Sequence, residues 1–347
     1  MRCENGTRFY IDDFVEDLNY RKIILSFGDV DPEKLKSKLE KDNTSHISRF
    51  DRYCISNKLF FIENCDLQEV DTQVEPRKTQ ELIWLEWSDI RYAGRTGGTF
   101  VKSAAIIDGR KIYYKLSNYD PLRGIVGHEC VNEIIVDRLL TILGVEHLDY
   151  QLIHAEIELE GKRYTTYLCA SEDFRKSGES KIALDDYYRV NKENAESPYD
   201  FCARQGADWK ASIDQMIAVD FLILNRDRHG ANIEVIRNTK THTIRLAPLF
   251  DHGLSLLCTC TSEKDVAGFD PMEDKKCQNF IGGYSSYENL TKIMSGQGEL
   301  FSGRLKETDR DRIFAGMQGI LPDLYREKIW YMIWERYKVY ENLSHHG

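Results

Sequence analysis

The stretch Asn225–Asn232 reads NRDRHGAN and follows Met216–Leu224, MIAVDFLIL, an apolar run broken only by Asp220. Such a run reads as a helix buried on all sides. The eight residues after it crowd an Asp, two Arg, a His, a Gly and two Asn into one short stretch. A charged surface turn has this composition too. The spacing is more informative: Asp227 and Asn232 lie five apart, enough for one to face a reacting hydroxyl while the other reaches a metal ion on a phosphate.

Downstream, NIEVIRN (232–238) and HTIRLAPLFD (242–251) read as a hairpin around TKT. They lead into Asp251-His252-Gly253, a carboxylate at a turn and of the type that can serve as a second hard ligand for a divalent cation. Upstream, IWLEWSDIRYA (83–93) is strand-like, GRTGGT (94–99) is glycine-rich, and FVKSAAII (100–107) is a second strand. Asp108-Gly109 signals a tight hairpin turn. RKIYYKL (110–116) is a third strand carrying Lys115. HECVNEIIVDRLLTILG (128–144) is a helix closed by Gly144, and QLIHAEIELEGKRYTTYLCA (151–170) is a hairpin turning at Glu160-Gly161.

Each feature has a physical job in binding a triphosphate. Glycines such as Gly97 and Gly98, with Thr99, let backbone N–H groups come close to phosphate oxygens. Lys115 supplies a positive point charge, with Lys102 as a competitor. Glu129 and Glu133 lie four apart on one helical face, and either can hold the lysine. Taken singly, each has an ordinary reading: a strand-ending lysine, a helix-start glutamate, a turn aspartate. Those readings do not account for Lys, Glu, Asp, Asn and Asp following in this order on these element types.

The composition is that of a globular chain: 347 residues, 41% hydrophobic and 30% charged. A net charge of -10 argues against direct nucleic-acid binding. The N-terminus lacks a signal-peptide core, and no apolar run is long enough to span a bilayer. These features, with nine cysteines scattered mostly in apolar stretches, give the expectation of a cytoplasmic protein with reduced thiols. Cys258 and Cys260 lack the paired spacing of a zinc site. DPEKLKSKLEKD (31–42) reads as a helix, KLFFIENC (58–65) as a strand and DTQVEPRKTQE (71–81) as a linker. The tail LPDLYREKIWYMIWERYKVYENL (321–343) is helical, with Trp330, Trp334 and Tyr337 as a core stripe.

The segments GTFVKSAAI, HECVNE, FLILNRDRHGAN and LAPLFDHGLSL resemble the HipA-like family of bacterial serine/threonine kinases, including its compact CtkA-like members. The resemblance covers roughly residues 82–345. It implies an α+β, two-lobed protein-kinase-like fold, with a β-rich N-lobe at 81–170 and a mostly helical C-lobe at 171–347; residues 1–80, outside the resemblance, read as an N-terminal α/β extension of unassigned role. It also implies ATP and Mg²⁺ as cofactors. Carried over, Asp227 is the catalytic Asp, Asn232 and Asp251 are the metal ligands, and Lys115 is the phosphate lysine. Glu133 is its helix partner, with Glu129 as the alternative. His229 either donates a hydrogen bond near the γ-phosphate or braces the loop. LCASEDF (168–174) is the expected hinge, with Ala170 and Glu172 reading the adenine edge. The expected substrate is a protein Ser/Thr hydroxyl, with autophosphorylation at Thr96, Thr99 or Ser103, and an antitoxin-like protein is a further expected partner. A phosphoinositide-type lipid kinase shares the Asp-Arg-His-x-x-Asn loop, and a non-catalytic ATP-binding module is the third reading.

Overall fold

The computed structural model describes three short strands, residues 23–26, 59–62 and 83–86, and then residues 102–346 apart from 108, 121, 160, 280–284, 296 and 297. The 31–42 helix, the linker at 71–81 and the glycine-rich loop with Gly97, Gly98 and Thr99 lie outside the described residues. The chain divides into two units, residues 1–84 with 106–109, and residues 85–105 with 110–347. In the smaller unit, β1 (Ile23–Ser26) and β2 (Leu59–Ile62) pair antiparallel, Ile23 opposite Ile62. The β2 strand falls within the stretch read as a strand.

The larger unit begins with a sheet. Its strands are β3 (Ile83–Glu86, from Leu85 on), β4 (Lys102–Ile107, as far as Ala105), β5 (Arg110–Leu116), β8 (Gln151–Leu159) and β9 (Lys162–Glu172), in the order β3-β8-β9-β5-β4. Between β5 and the first helix sits a small ribbon, β6 (Tyr119–Asp120) with β7 (Gly124–Ile125). Period-two burial shows in β8, where Ala155, Ile157 and Leu159 are buried. β9 runs antiparallel to both neighbours, with Lys115 opposite Cys169 and Gln151 opposite Ala170.

Helix α1 (Glu129–Leu143) lies across this sheet and ends where the sequence says it should. Gly144 takes φ 68°, and the Val145 N–H donates to Leu140 O at 3.0 Å, a left-handed cap that glycine adopts without strain. A Cβ there would also collide with Ser302 Oγ.

The rest is mostly helical. A three-stranded sheet is built from β10 (Glu179–Ala183), β12 (Glu234–Asn238) and β13 (Thr243–Leu246), in the order β10-β12-β13. The β12-β13 hairpin is the one expected around TKT, although its second strand stops at Leu246, just before Ala247-Pro248. Proline has no N–H for a ladder. A two-residue strand, β11 (Asp227–Arg228), pairs in parallel with β14 (Gln278–Asn279). Helices α2 (Leu184–Asn191), α3 (Pro198–Gln205), α4 (Ala207–Leu222), α5 (Glu263–Gly268), α6 (Ser286–Met294), α7 (Arg310–Ile313) and α8 (Asp323–His346) follow. From Met216 to Leu222 every residue of α4 is buried, the all-round burial its apolar run implies. Trp330 and Trp334 stack at 5.6 Å between ring centroids, and Trp330 and Tyr337 are buried in the core. Among the described residues, no helix is long and apolar enough to cross a membrane.

Candidate functional site

The helix α4 delivers its last turn into a polar knot. Leu224 leaves the helix at φ 53°, and Asn225 follows, its Nδ2 donating to Asp220 Oδ1 at 2.9 Å. Arg228 is 1% exposed. Its Nη2 and Nε donate to Asp220 at 3.0 and 3.1 Å, and its Nη1 donates to Phe250 O at 2.7 Å. The guanidinium therefore joins the NRDRHGAN loop to the helix before it and to the residue preceding Asp251. A fully buried arginine is tolerable because its fork is met by a carboxylate and a carbonyl.

Asp227 and Asn232 are fixed relative to each other. The Asn232 Nδ2 donates to Asp227 O at 3.0 Å across a 3₁₀ turn, Gly230–Asn232. That commits the amide nitrogen to Asp227 and leaves Oδ1 as the atom that could hold a metal ion. His229 Nε2 lies 3.7 Å from Asp227 Oδ1, and both side chains are about one-third exposed. Burial raises the Asp227 pKa above the ordinary aspartate value, and the Asp251 charge adds to the rise against the opposing pull of His229 and Arg228.

On the sheet side, Lys115 projects from β5 between two carboxylates. Its Nζ lies 2.7 Å from Glu133 Oε1 and 2.5 Å from Asp251 Oδ1. Burial alone would depress the lysine. Glu133 and Asp251 outweigh it and hold the pKa well above its usual value. Burial would likewise raise Asp251, but the Lys115 charge and hydrogen bond overcome this and hold the carboxyl far below the carboxylate range.

Of the two glutamates, Glu133 is the partner of Lys115. Its second oxygen accepts the His252 N–H at 2.8 Å, so one buried carboxylate organises both the lysine and the Asp251 segment. Glu129 Oε2 instead accepts the Asn118 N–H at 3.0 Å. Asp251 itself sits at φ 61°, a left-handed conformation that Asp adopts more readily than most residues. Two residues on, a Cβ on Gly253 would sit 3.2 Å from Glu129 Cβ and 3.3 Å from Glu133 Oε1. The Asp-His-Gly turn thus approaches α1 so closely that a larger residue would require its helix neighbours to shift. Asn132 Nδ2 seals this approach by donating to Gly253 O and Ser255 O.

These groups surround a cavity of about 700 Å³, within the usual size range of a small-ligand site. Lys102, Lys115, Asp227, His229, Asn232 and Asp251 all line it. Lys102, the competing lysine, is depressed by burial. Phe174 and Phe250 stand 6.0 Å apart on the same wall. Of the expected hinge pair, Glu172 reaches the cavity, whereas Ala170 is buried in the ladder opposite Gln151. The Asp173 N–H bonds Lys111 O at 2.9 Å. Strand alternation then turns the Glu172 backbone away from β5, two positions beyond Ala170, where pairing with β8 ends at Gln151.

A carboxylate (Asp251) and an amide oxygen (Asn232) on one cavity wall form a hard-oxygen donor set that suits Mg²⁺. A second group of ligand-type atoms, Asp137, His147 and Asp149, gathers within 4.8 Å at the end of α1. Its histidine Nδ1 lies 2.7 Å from Val145 O and its Nε2 3.4 Å from Asp137 Oδ1. Sequence reading missed this group, since its members fall on a helix and a loop with no motif spacing. It also missed the Asp220–Arg228 pair, whose aspartate is hidden in an apolar run.

No protein-family profile and no curated protein matches the sequence. Solved structures do match. The crystal structure of the Helicobacter pylori proinflammatory kinase CtkA aligns with a TM-score of 0.53 at 13% identity, over 71% of this chain and 94% of that one. A chain of the Shewanella oneidensis MR-1 HipA–HipB toxin–antitoxin complex with its operator DNA aligns with a TM-score of 0.42 at 13% identity, over 90% of this chain and 84% of that one. The fold of the larger unit, a sheet-rich part followed by a helical part, is therefore kinase-like, as the sequence led us to expect.

Proposed function

We propose that this chain is a Mg²⁺-ATP-dependent kinase that transfers the γ-phosphoryl group to a Ser or Thr hydroxyl of a protein. The observation that carries the proposal is the Glu133–Lys115–Asp251 bridge facing the same cavity as Asp227 and Asn232. A lysine held by two carboxylates is a charged group fixed in position before any ligand arrives, which is the arrangement that electrostatic stabilisation of transferring phosphate requires.

In this reading Lys115 neutralises phosphate oxygens, and Glu133 keeps its ammonium in place. Asn232 and Asp251 would hold Mg²⁺, which when bound would offset charge on the phosphates. Asp227 orients the acceptor hydroxyl and takes its proton; burial makes it more basic than an ordinary aspartate. His229, lining the cavity beside Asp227, donates to the transferring phosphate. The Glu172 backbone, turned away from β5, offers the adenine edge its N–H and C=O, and Phe174 and Phe250 supply apolar contact to the base. The expectation from the sequence that Gly97, Gly98 and Thr99 contact phosphate belongs to the same reading.

The test is a substrate panel with γ-labelled ATP: the protein itself, Ser/Thr-containing proteins and phosphoinositides. The proposal expects acid-stable label on protein Ser or Thr, including Thr96, Thr99 or Ser103 of the chain itself. Label confined to phosphoinositide would refute protein-kinase activity.

A further inference from the structure

The same cavity has a charged pair on its wall that phosphoryl transfer leaves unused. Lys181 on β10 and Glu234 at the start of β12 both line it. Ala183 lies opposite Glu234, and Ile236 opposite Lys181. The two charged residues are therefore diagonal neighbours on one face of the ladder. Lys181 Nζ donates to Glu234 Oε1 at 2.6 Å. The backbone beneath is fixed as well, because Glu234 O accepts the Ala247 N–H at 2.8 Å. Glu234 Oε2, in contrast, is buried and has no hydrogen-bond partner among the described residues.

An ionised carboxylate accepts through both oxygens, and burying one of them without a donor is costly. Lys181 satisfies the first oxygen. The second belongs to a residue of the cavity wall, two positions after Asn232. A nucleoside brings the donors that such an oxygen lacks: the ribose hydroxyls and the exocyclic amine of the base. We infer that Glu234 accepts a hydrogen bond from the nucleoside half of the nucleotide, with Lys181 holding its carboxylate, and so helps to set which nucleotide the site takes. This rests on the nucleotide-binding reading above and adds a recognition residue to it.

The test is calorimetric binding to the full chain in the presence of Mg²⁺. The ligands are ATP, 2′-deoxy-ATP, 3′-deoxy-ATP and purine riboside triphosphate, which lacks the amine. The inference expects at least one analogue to bind wild type about tenfold or more weakly than ATP, the scale of one hydrogen bond to a charged group. Glu234→Leu should close that gap by weakening ATP alone, and the analogue concerned tells hydroxyl from amine. Should Glu234→Leu not fold, Glu234→Gln should narrow the same gap. Gaps of equal size in wild type and variant would overturn the inference while leaving nucleotide binding intact. Absence of ATP binding to wild type would overturn both.

Discussion

Arg228 and Asp220 form a buried ion pair, 3.0 Å from Nη2 to Oδ1, that ties the loop carrying Asp227 to the helix before it. The same guanidinium reaches Phe250 O, next to Asp251. One side chain thus sets the distance between the residue proposed to accept a proton and a residue proposed to bind metal.

Arg228→Met should be strongly destabilising. It leaves Asp220 buried with Asn225 as its one side-chain donor among the described residues, and breaking a buried pair from one side costs roughly 3–5 kcal/mol. Urea unfolding would read this as a lower midpoint with an unchanged slope. A change below about 1 kcal/mol, the scale of an exposed pair, would mean that the pair does not hold the loop.

The Lys115 bridge predicts an asymmetry between two variants. Lys115→Met removes the charge proposed to meet phosphate and leaves Glu133 and Asp251 without this cation. Phosphoryl transfer should fall by about a hundredfold or more, about 2.7 kcal/mol in the barrier. Glu133→Gln keeps the Lys115–Asp251 contact and should cost less, on the order of tenfold. Steady-state kcat/KM for the two variants checks the order, and equal losses would contradict it.

Asp227 should set the acid limb of the pH–rate profile. Its active form is the carboxylate, so kcat/KM should drop as pH falls through its pKa. Burial places that limb above the ordinary aspartate value of 3.8. His229→Leu removes a group that pulls this pKa down, and the limb should move to higher pH. A limb at or below 3.8 in wild type, or one that stays put in His229→Leu, would be the contrary result.

His147 should make stability depend on pH. Burial pulls its pKa down, but the Asp137 contact and Val145 O more than compensate, and the net shift is upward from 6.5. A raised folded-state pKa means the stabilisation is full below about 6.5, the unfolded value, and fades as pH rises through the higher folded value. Asp137→Asn should flatten that decline. Melting temperatures of both proteins from pH 5 to 9 provide the check.

Much of this was legible in the sequence because turn chemistry and periodicity act locally. Gly144 marks the end of α1 to the residue, and RKIYYKL is β5 without adjustment. The order of Lys115, Glu133, Asp227, Asn232 and Asp251 pointed to one site, and the fold brings all five together. What spacing could not decide was the choice between Glu129 and Glu133, since both occupy the same helical face and both are buried. That choice depends on where β5 and the Asp-His-Gly turn meet α1, a tertiary fact. The Lys181–Glu234 pair was hidden for the same reason: its partners are 53 residues apart and meet only through strand register.

The most direct measurement of the central claim is γ-phosphate transfer from ATP in Mg²⁺ by wild type and by Asp227→Ala, with ATP binding measured alongside. The account predicts turnover by wild type, ATP binding by both proteins, and a loss of roughly 10²–10⁴-fold in kcat for the variant. Equal turnover in the two proteins, or ATP binding with no turnover in either, would contradict it.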